Sequence, residues 1–187
     1  MDLETVFTRL KSAGVSVSPG LTPKEMEQIQ QRHGFQFPPD FAHLLAQGVP
    51  VGPDWPDWRD SGDITVRMAA PLEGILFDIE YNDAWFSIWG TRPKEVPVAR
   101  RFASEQLFNV PKLIPVFSHR YVPALPSLPG NPIFSVYQTD IILFGADLEE
   151  YFRNEFPLQE QPGDFQVSIP SRAIDFWSEL ALGGLRS

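Results

Sequence analysis

The sequence contains no cysteine among its 187 residues. Because disulfide bonds, cysteine nucleophiles and zinc–thiolate centres all require a thiol, this absence excludes all three. Short motifs with a known chemistry are missing as well: the chain has no glycine-rich phosphate loop, no H-E-x-x-H zinc motif and no G-x-S-x-G nucleophile turn. We therefore predict no catalytic residue, no metal site and no cofactor.

Positive charge is also scarce. Fifteen Lys and Arg residues are set against 24 Asp and Glu residues, which gives a net charge of −9. Nucleic acids bind cationic surfaces that displace their counterions, so this balance argues against a nucleic-acid partner. An acidic surface attracts basic proteins, although acidity also serves solubility alone.

Long apolar runs are absent from the chain. None approaches the roughly 20 residues that a membrane-spanning helix needs. The first residues, MDLETVF, lack the basic and then apolar layout of a secretory signal. We therefore expect a cytoplasmic protein that does not contact a membrane.

Hydrophobic residues nonetheless make up 43% of the chain, and aromatic residues 13%. Burial of so much apolar surface offsets the entropy lost on folding, so we predict one folded domain over residues 1–187. The 19 prolines and 13 glycines predict many loops and short elements. This composition favours an irregular α+β fold over a helical bundle.

Helical signals dominate the N-terminal part of the chain. Residues 2–13 carry apolar side chains at helical spacing, with the charges off that stripe. Thr22, followed by a proline and by Glu25, predicts a capping box at the start of a second helix, and Gly34 predicts its end. A third helix is expected to follow and to end at Gly48.

The middle of the chain predicts further helices with less regular connections. Residues 15–20 are interpreted as a short strand or an extended linker. Residues 64–83 are expected to be helical in two pieces that are broken at Pro71. The aromatic residues 85–89 are expected to form a strand or an extended segment that plugs the core, and another helix is predicted over residues 93–108.

Strand signals are concentrated further along. Residues 113–117 predict a strand, and Pro115 within it favours an edge position because proline cannot donate a ladder hydrogen bond. The four prolines of residues 123–132 predict a loop. Residues 133–137 and 141–144 are rich in β-branched and aromatic side chains and predict a hairpin.

The last part of the chain predicts two helices and one strand. Asp147 is the expected N-cap of a helix that reaches Glu155. A loop is expected after Phe156, and residues 165–169 are interpreted as a last strand. Ser171 is then expected to cap a C-terminal helix.

Residues 49–63 are the most distinctive polar segment. Aspartates recur at every third position with tryptophans between them: Asp54, Trp55, Asp57, Trp58, Asp60 and Asp63. A calcium loop needs the alternating ligands of D-x-D-x-D-G, which this spacing does not supply. The tryptophans either pack onto the core or stay exposed and anchor a protein partner. Under the second interpretation the partner-binding residues are Asp54, Trp55, Asp57, Trp58 and Asp60.

One histidine lies beside the proline-rich loop. His119 stands in the run Ser118-His119-Arg120-Tyr121. One hypothesis makes it an anion-binding residue or a general base in a cleft of a small-ligand protein or an enzyme. The other, which we favour because no nucleophile or substrate motif is nearby, has it hydrogen-bonded to loop backbone. The cleft residues under the first hypothesis are His119, Arg120, Tyr121 and Asn131.

Residues 21–48, LTPKEMEQIQQRHGFQFPPDFAHLLAQG, resemble the N-terminal signature of the SUKH superfamily. This superfamily includes the Smi/Knr-type proteins named for cell-wall assembly and killer-toxin resistance in yeast. Its members typically show a capped helix and then a helix with the pattern lP-x-dy-x-x-f/l-l. Residues 71–90 and 110–152 are similar to a bacterial branch of the family, so the resemblance covers most of residues 21–152.

The resemblance implies both a fold and a function. The fold is α+β, with helices packed on a mixed, mostly antiparallel sheet, and without enzymatic activity. Bacterial relatives are often immunity proteins that bind and neutralise toxins, frequently nucleases, and others are regulatory scaffolds. The implied partner of this chain is therefore a protein, with a basic toxin domain as the candidate.

Overall fold

The structure is a computed structural model that describes residues 1–158 and 165–183. Its helices within these ranges are α1 (Leu3–Ser12), α2 (Pro23–His33), α3 (Pro39–Gln47), α4 (Ser61–Tyr81), α5 (Val96–Leu107), α6 (Leu148–Glu155) and α7 (Trp177–Ala181). Its strands are β1 (Ser16–Pro19), β2 (Gly48–Val51), β3 (Leu113–Phe117), β4 (Arg120–Pro123), β5 (Ile133–Tyr137) and β6 (Asp140–Gly145). Across the described ranges, no helix has both the length and the apolar character that crossing a bilayer requires.

The strands form two sheets. β1 pairs with β2, and the other strands lie in the order β3-β4-β5-β6. Every pairing in the described residues is antiparallel. The architecture is therefore a single α+β domain, which confirms the predicted fold class.

The capping box and the glycine end that the sequence predicts for α2 are present. The helix α1 also has an N-cap, which was not predicted: Asp2 Oδ1 accepts a hydrogen bond from the backbone N–H of Glu4, at 3.1 Å. At the start of α2, Thr22 Oγ1 accepts from the N–H of Glu25 at 3.2 Å, and the Glu25 carboxylate accepts from the N–H of Thr22 at 2.8 Å. Gly34 ends α2 in the left-handed conformation, with φ of +64°. The two predictions for α2 are confirmed because the partners involved lie within about one helical turn of each other.

The helix after residue 60 is continuous, so the predicted break at Pro71 is wrong. Pro71 lies inside α4 and is buried. A proline in a helix interior removes one backbone hydrogen bond. On either side of it, α4 buries Ile64 in one core and Ile75 and Ile79 in the other. Packing of both halves against the domain outweighs the lost hydrogen bond.

The aromatic run after α4 is not a strand. Ser87–Trp89 forms one turn of 3-10 helix. Phe86 is buried, and its ring centroid lies 4.9 Å from that of Trp89. The prediction that this segment plugs the core is therefore confirmed for Phe86. The alternative that it forms a strand is wrong.

The four-stranded sheet confirms the predicted edge strand and the predicted hairpin. β3, which contains Pro115, lies at one edge. β5 and β6 are joined by a tight turn that closes at the pair Tyr137 and Asp140, with Gln138 at φ of +56°. β4 was not predicted, because its sequence, RYVP, runs into the proline-rich loop.

Alternate side chains of the sheet enter two hydrophobic cores. On β5, Ile133 lies in a first core that also contains residues of α1, α2, α3 and α6. Its neighbour Phe134 lies in a second core, with residues of α4, α5 and α7. The sheet therefore separates two helical layers, and neighbouring residues of one strand serve different layers.

The C-terminal segment differs from its prediction. No strand forms over residues 165–169, and Ile169 is 95% exposed. Ser168 is instead held by Glu150, whose Oε1 accepts from Ser168 Oγ at 2.7 Å. Ser171 does not cap a helix, because α7 begins later, at Trp177. Part of the loop predicted after Phe156 falls on residues 159–164, which lie outside the described ranges.

Replacing Tyr151 with phenylalanine is expected to raise the free energy of unfolding by about 1 kcal/mol. Tyr151 is fully buried, and its hydroxyl has no hydrogen-bond partner among the described residues. Burial, together with the nearby Glu155 carboxylate, raises the pKa of Tyr151 well above its usual value. Urea denaturation measures the difference. Tyr137→Phe is the control, since the Tyr137 side chain is exposed, and a destabilised Tyr151→Phe would contradict the argument.

Candidate functional site

The two tryptophans of the acidic segment belong to the core. Trp55 is 7% exposed and Trp58 is 4% exposed. The Trp58 ring lies 5.1 Å from that of Phe37 and 6.0 Å from that of Phe41. The structure thus corresponds to the first interpretation, in which these side chains pack inward, and neither indole is available as an exposed anchor. The physical reason is the hydrophobic effect: packing these large rings against the first core removes their apolar surface from water.

The aspartates of the same segment face solvent. We call residues 52–63 the acidic loop, of which the last three residues form the start of α4. Asp54, Asp57 and Asp60 are exposed at its surface. The Asp54 carboxylate makes no hydrogen bond or ion pair with any residue of the described ranges. The carboxylates of Asp57 and Asp60 also order the loop.

Carboxylates of the acidic loop cap its own backbone. Asp57 Oδ1 accepts from the N–H of Arg59 at 3.0 Å, and Asp60 Oδ1 accepts from the N–H of Gly62 at 2.8 Å. Asp63 Oδ2 accepts from the N–H of Asp57 at 2.8 Å. These short-range bonds give the loop a defined shape, as aspartate side chains commonly do in turns.

Arg59 braces the acidic loop against α2 and β1. Its Nε lies 2.8 Å from Glu25 Oε1, and its Nη2 donates to the carbonyls of Pro19 and Gly20, at 3.2 Å each. Hydrogen bonds from Thr22, with a further contribution from Arg59, lower the pKa of Glu25 to about 2. Glu25 therefore remains ionised, and keeps its partner in place, throughout the neutral range.

Arg67 braces the other end of the acidic loop. Its Nε lies 2.8 Å from Asp63 Oδ2. Its Nη atoms donate to the carbonyls of Asp54, at 3.3 Å, and Pro53, at 3.0 Å. The loop carbonyl of Asp54 also accepts from the N–H of Ser118 at 2.6 Å. The loop is therefore held in one conformation from both sides.

The outer face of α4 adjoins the acidic loop, since Asp60 is the N-cap of this helix. Three of its large apolar residues are exposed, Val66 by 69%, Phe77 by 47% and Tyr81 by 66%, and so is the small Ala70. The rings of Phe77 and Tyr81 lie 4.8 Å apart. A residue in a helix rises about 1.5 Å, so this stripe runs for about 22 Å.

The spacing of these residues in the sequence indicates the stripe, but only if the helix is continuous, and we predicted a break at Pro71. Residues 66, 70, 77 and 81 are four or seven positions apart, so they lie on one face of a continuous helix. Once α4 is a single helix, the exposed apolar residues form one surface that extends from the acidic loop.

Arg120 and Tyr121 do not line a common cleft. As neighbours on β4 they point to opposite faces of the sheet. Arg120 lies 3.0 Å from Glu155 Oε2, donates to Ser135 Oγ at 3.0 Å, and places its guanidinium 3.8 Å above the Phe144 ring. Tyr121 is 3% exposed in the second core, and burial raises its pKa to about 12.

His119 and Asn131 have structural contacts of their own. His119 Nδ1 lies 3.1 Å from Ser118 Oγ, and its ring packs edge-on against Tyr137. Burial and the nearby Arg120 lower the pKa of His119. Asn131 is 1% exposed and donates to the carbonyls of Pro123 and Pro126, at 3.0 and 2.8 Å.

The structure therefore separates the four residues that the sequence grouped as a cleft. None of them lines either of the two cavities that adjoin residues 110–112. Asn131 fastens the proline-rich loop, and Arg120 fastens the sheet to α6. Within the described ranges, no three His, Asp or Glu side chains are grouped so that they can hold a metal ion.

The fold and these surfaces describe an α+β domain with a braced acidic loop and an exposed apolar helix face beside it. No protein-family model matches the chain, and neither the curated proteins nor the solved structures contain a significant match to it. The SUKH resemblance thus rests on the sequence motifs alone.

Proposed function

We propose that this protein is a non-enzymatic protein-binding module that receives a basic protein domain on its acidic loop and on the outer face of α4. We further propose that it acts in the cytoplasm as a bacterial immunity protein of the SUKH superfamily, and that its partner is a toxin such as a nuclease. The observation that carries the proposal is the acidic loop, which exposes the carboxylates of Asp54, Asp57 and Asp60. Hydrogen bonds from Arg59 and Arg67 to backbone carbonyls fix the conformation of this loop.

Preorganisation supports the docking role. A flexible loop loses conformational entropy when it is ordered by a partner, and this cost reduces affinity. The bonds of Arg59 and Arg67 order the loop beforehand. Exposed carboxylates in a chain of net charge −9 also steer a basic partner during association.

The outer face of α4 supports a partner other than a second copy of this chain. Phe77 and Tyr81 offer the aromatic contacts that commonly dominate binding energy. Glu73 is exposed close to the middle of the same stripe. Two copies packed antiparallel along this face would bring both Glu73 carboxylates together, whereas a partner with a cation at that position would pair with it.

The toxin-neutralising role rests on the SUKH resemblance, and so does the runner-up role of a regulatory scaffold. Both use the same docking surface. A small-ligand or enzymatic role for His119 has less support, since Arg120, Tyr121 and Asn131 are each occupied by structural contacts.

Removing charge from the acidic loop is expected to slow association with a basic toxin domain by at least about tenfold at low salt. The variant combines Asp54→Lys, Asp57→Asn and Asp60→Asn. The asparagines keep the oxygen that accepts the loop N–H groups, so the loop keeps its shape. The measurement is surface plasmon resonance against a purified, catalytically inactivated basic nuclease toxin domain, and the difference should shrink as salt rises.

A matched control changes the same charge elsewhere. Glu105→Lys, Glu4→Gln and Glu179→Gln alter exposed acidic residues that lie outside the acidic loop. If this control slows association equally, the effect is due to net charge alone, and the acidic loop is not the docking site. In a further arm, Phe77→Ala with Tyr81→Ala should speed dissociation and leave association unchanged, because apolar contacts act after encounter.

A further inference from the structure

A small apolar cavity lies between α4, the end of α5 and α7. Its volume is about 330 Å³. The apolar side chains that line it include Met68, Leu72, Leu107, Leu113 and Trp177. Ligand sites in proteins usually have volumes of about 300 to 1,000 Å³, apolar walls and a few polar groups. The volume of this cavity lies within that range, and its walls are apolar.

The polar groups at this cavity are cationic or neutral. Among the described residues, its lining contains Lys112, His33 and Thr65, and no Asp or Glu. The Lys112 ammonium donates to the carbonyls of His33, at 2.8 Å, and Gly34, at 2.9 Å. An ammonium has three N–H donors, so one remains for a further acceptor. This remaining donor on a cation suits an anionic acceptor.

The cavity has a route to solvent. An open groove of about 1110 Å³ shares with it the segment that runs from Val110 to Lys112. Lys112 lines both spaces, so its side chain lies on their boundary. A ligand with one charged end can thus place that end at Lys112 and its apolar part in the cavity.

We propose that this cavity binds a small amphipathic anion, a medium-chain carboxylate, with its hydrocarbon chain against Leu72 and Trp177 and its carboxylate paired with Lys112. An apolar cavity of about 150 Å³ holds one benzene molecule, so about twice that volume suits a chain of roughly eight carbons. A single ammonium with one donor to spare matches a monovalent carboxylate. This site is independent of the proposed protein-docking surface.

The pKa of His33 offers a second way to detect a bound anion. Burial lowers the pKa of His33, and the nearby Arg32 and Lys112 lower it further. A bound carboxylate beside Lys112 would oppose that effect. Its binding is therefore expected to raise the pKa of His33, which proton NMR of the imidazole resonances follows directly.

The test uses octanoate as the probe, titrated into the full chain by isothermal calorimetry. We expect saturable binding of one octanoate per chain, and at least tenfold weaker binding to Lys112→Met than to the unaltered protein. Lys112→Arg should restore most of the affinity, because it keeps the cation. Leu72→Trp, which fills the cavity, should abolish binding while leaving the thermal transition cooperative.

Octanol provides the matched neutral probe. It is expected to bind more weakly than octanoate and to be insensitive to Lys112→Met. Absence of saturable octanoate binding at millimolar concentration would overturn the proposal. Unchanged octanoate binding to Lys112→Met would overturn it as well. This outcome does not depend on whether Leu72→Trp folds, because Lys112 is exposed and its replacement leaves the apolar walls intact.

Discussion

Trp58→Ala is expected to lower the free energy of unfolding by about 3 to 5 kcal/mol, the usual cost of removing a buried tryptophan. Trp58 is 4% exposed and contacts the rings of Phe37 and Phe41 edge-on. The substitution leaves a void between the acidic loop and α3 that neighbouring backbone cannot fill. The loop carbonyls that Arg67 and Ser118 contact would lose their support as well.

Urea denaturation followed by circular dichroism measures this effect without relying on tryptophan fluorescence. Tyr137→Ala is the matched control, since its aromatic ring is 65% exposed and its removal should cost less than about 1 kcal/mol. A Trp58→Ala variant with unchanged stability would show that the side chain is not part of the core, and would revive the exposed-anchor interpretation.

Asp78→Asn is expected to destabilise the fold by about 2 to 4 kcal/mol at neutral pH. Asp78 is 5% exposed on α4. One carboxylate oxygen accepts from the N–H and the hydroxyl of Thr139, at 3.0 and 2.6 Å, and the other accepts from Asn82 Nδ2 at 2.7 Å. An asparagine offers one acceptor oxygen, so its NH₂ group would face a donor and leave it unsatisfied.

The effect of Asp78→Asn should depend on pH. Burial by itself raises the pKa of Asp78, but the hydrogen bonds from Thr139 and Asn82 outweigh it, and the net shift is downward. A carboxyl whose pKa is lower in the folded state stabilises the fold above its unfolded pKa of about 3.9. This contribution is lost as pH falls through the folded-state pKa.

Denaturation at a series of pH values tests this prediction. The difference between the unaltered protein and Asp78→Asn should stay constant from pH 7 to about pH 5 and narrow below about pH 4. Glu73→Gln, at an exposed position of the same helix, should show no such difference. A gap that persists unchanged at low pH would mean that the ionised form of Asp78 carries no stability.

Much of the local structure is predictable because its causes are close in sequence. The capping box of Thr22 and Glu25 and the N-cap Asp147 each need partners within about one helical turn. The edge position of Pro115 follows from its missing donor. The hairpin of β5 and β6 is predictable because its two strand-forming segments are separated only by a short polar turn.

The candidate site was predictable only in part. The exposed aspartates of the acidic loop follow from composition, but Trp55 and Trp58 are covered by aromatic residues from distant segments, such as Phe156 and Phe41. The braces Arg59 and Arg67 reach carbonyl groups whose positions depend on the fold. No spacing rule links such residues, so no sequence pattern identifies them.

By itself, the sequence determined the α+β class, most helix ends, the hairpin and the acidic character of the loop, since these depend on composition and short-range hydrogen bonds. Tertiary structure alone decided that α4 continues through Pro71, that residues 165–169 form no strand, and that Arg120 and Tyr121 face different layers. Packing of both halves of α4 decided the first, the hydrogen bond from Ser168 to Glu150 the second, and the pairing of β4 with β3 and β5 the third. These partners are remote in sequence, so local patterns do not identify them.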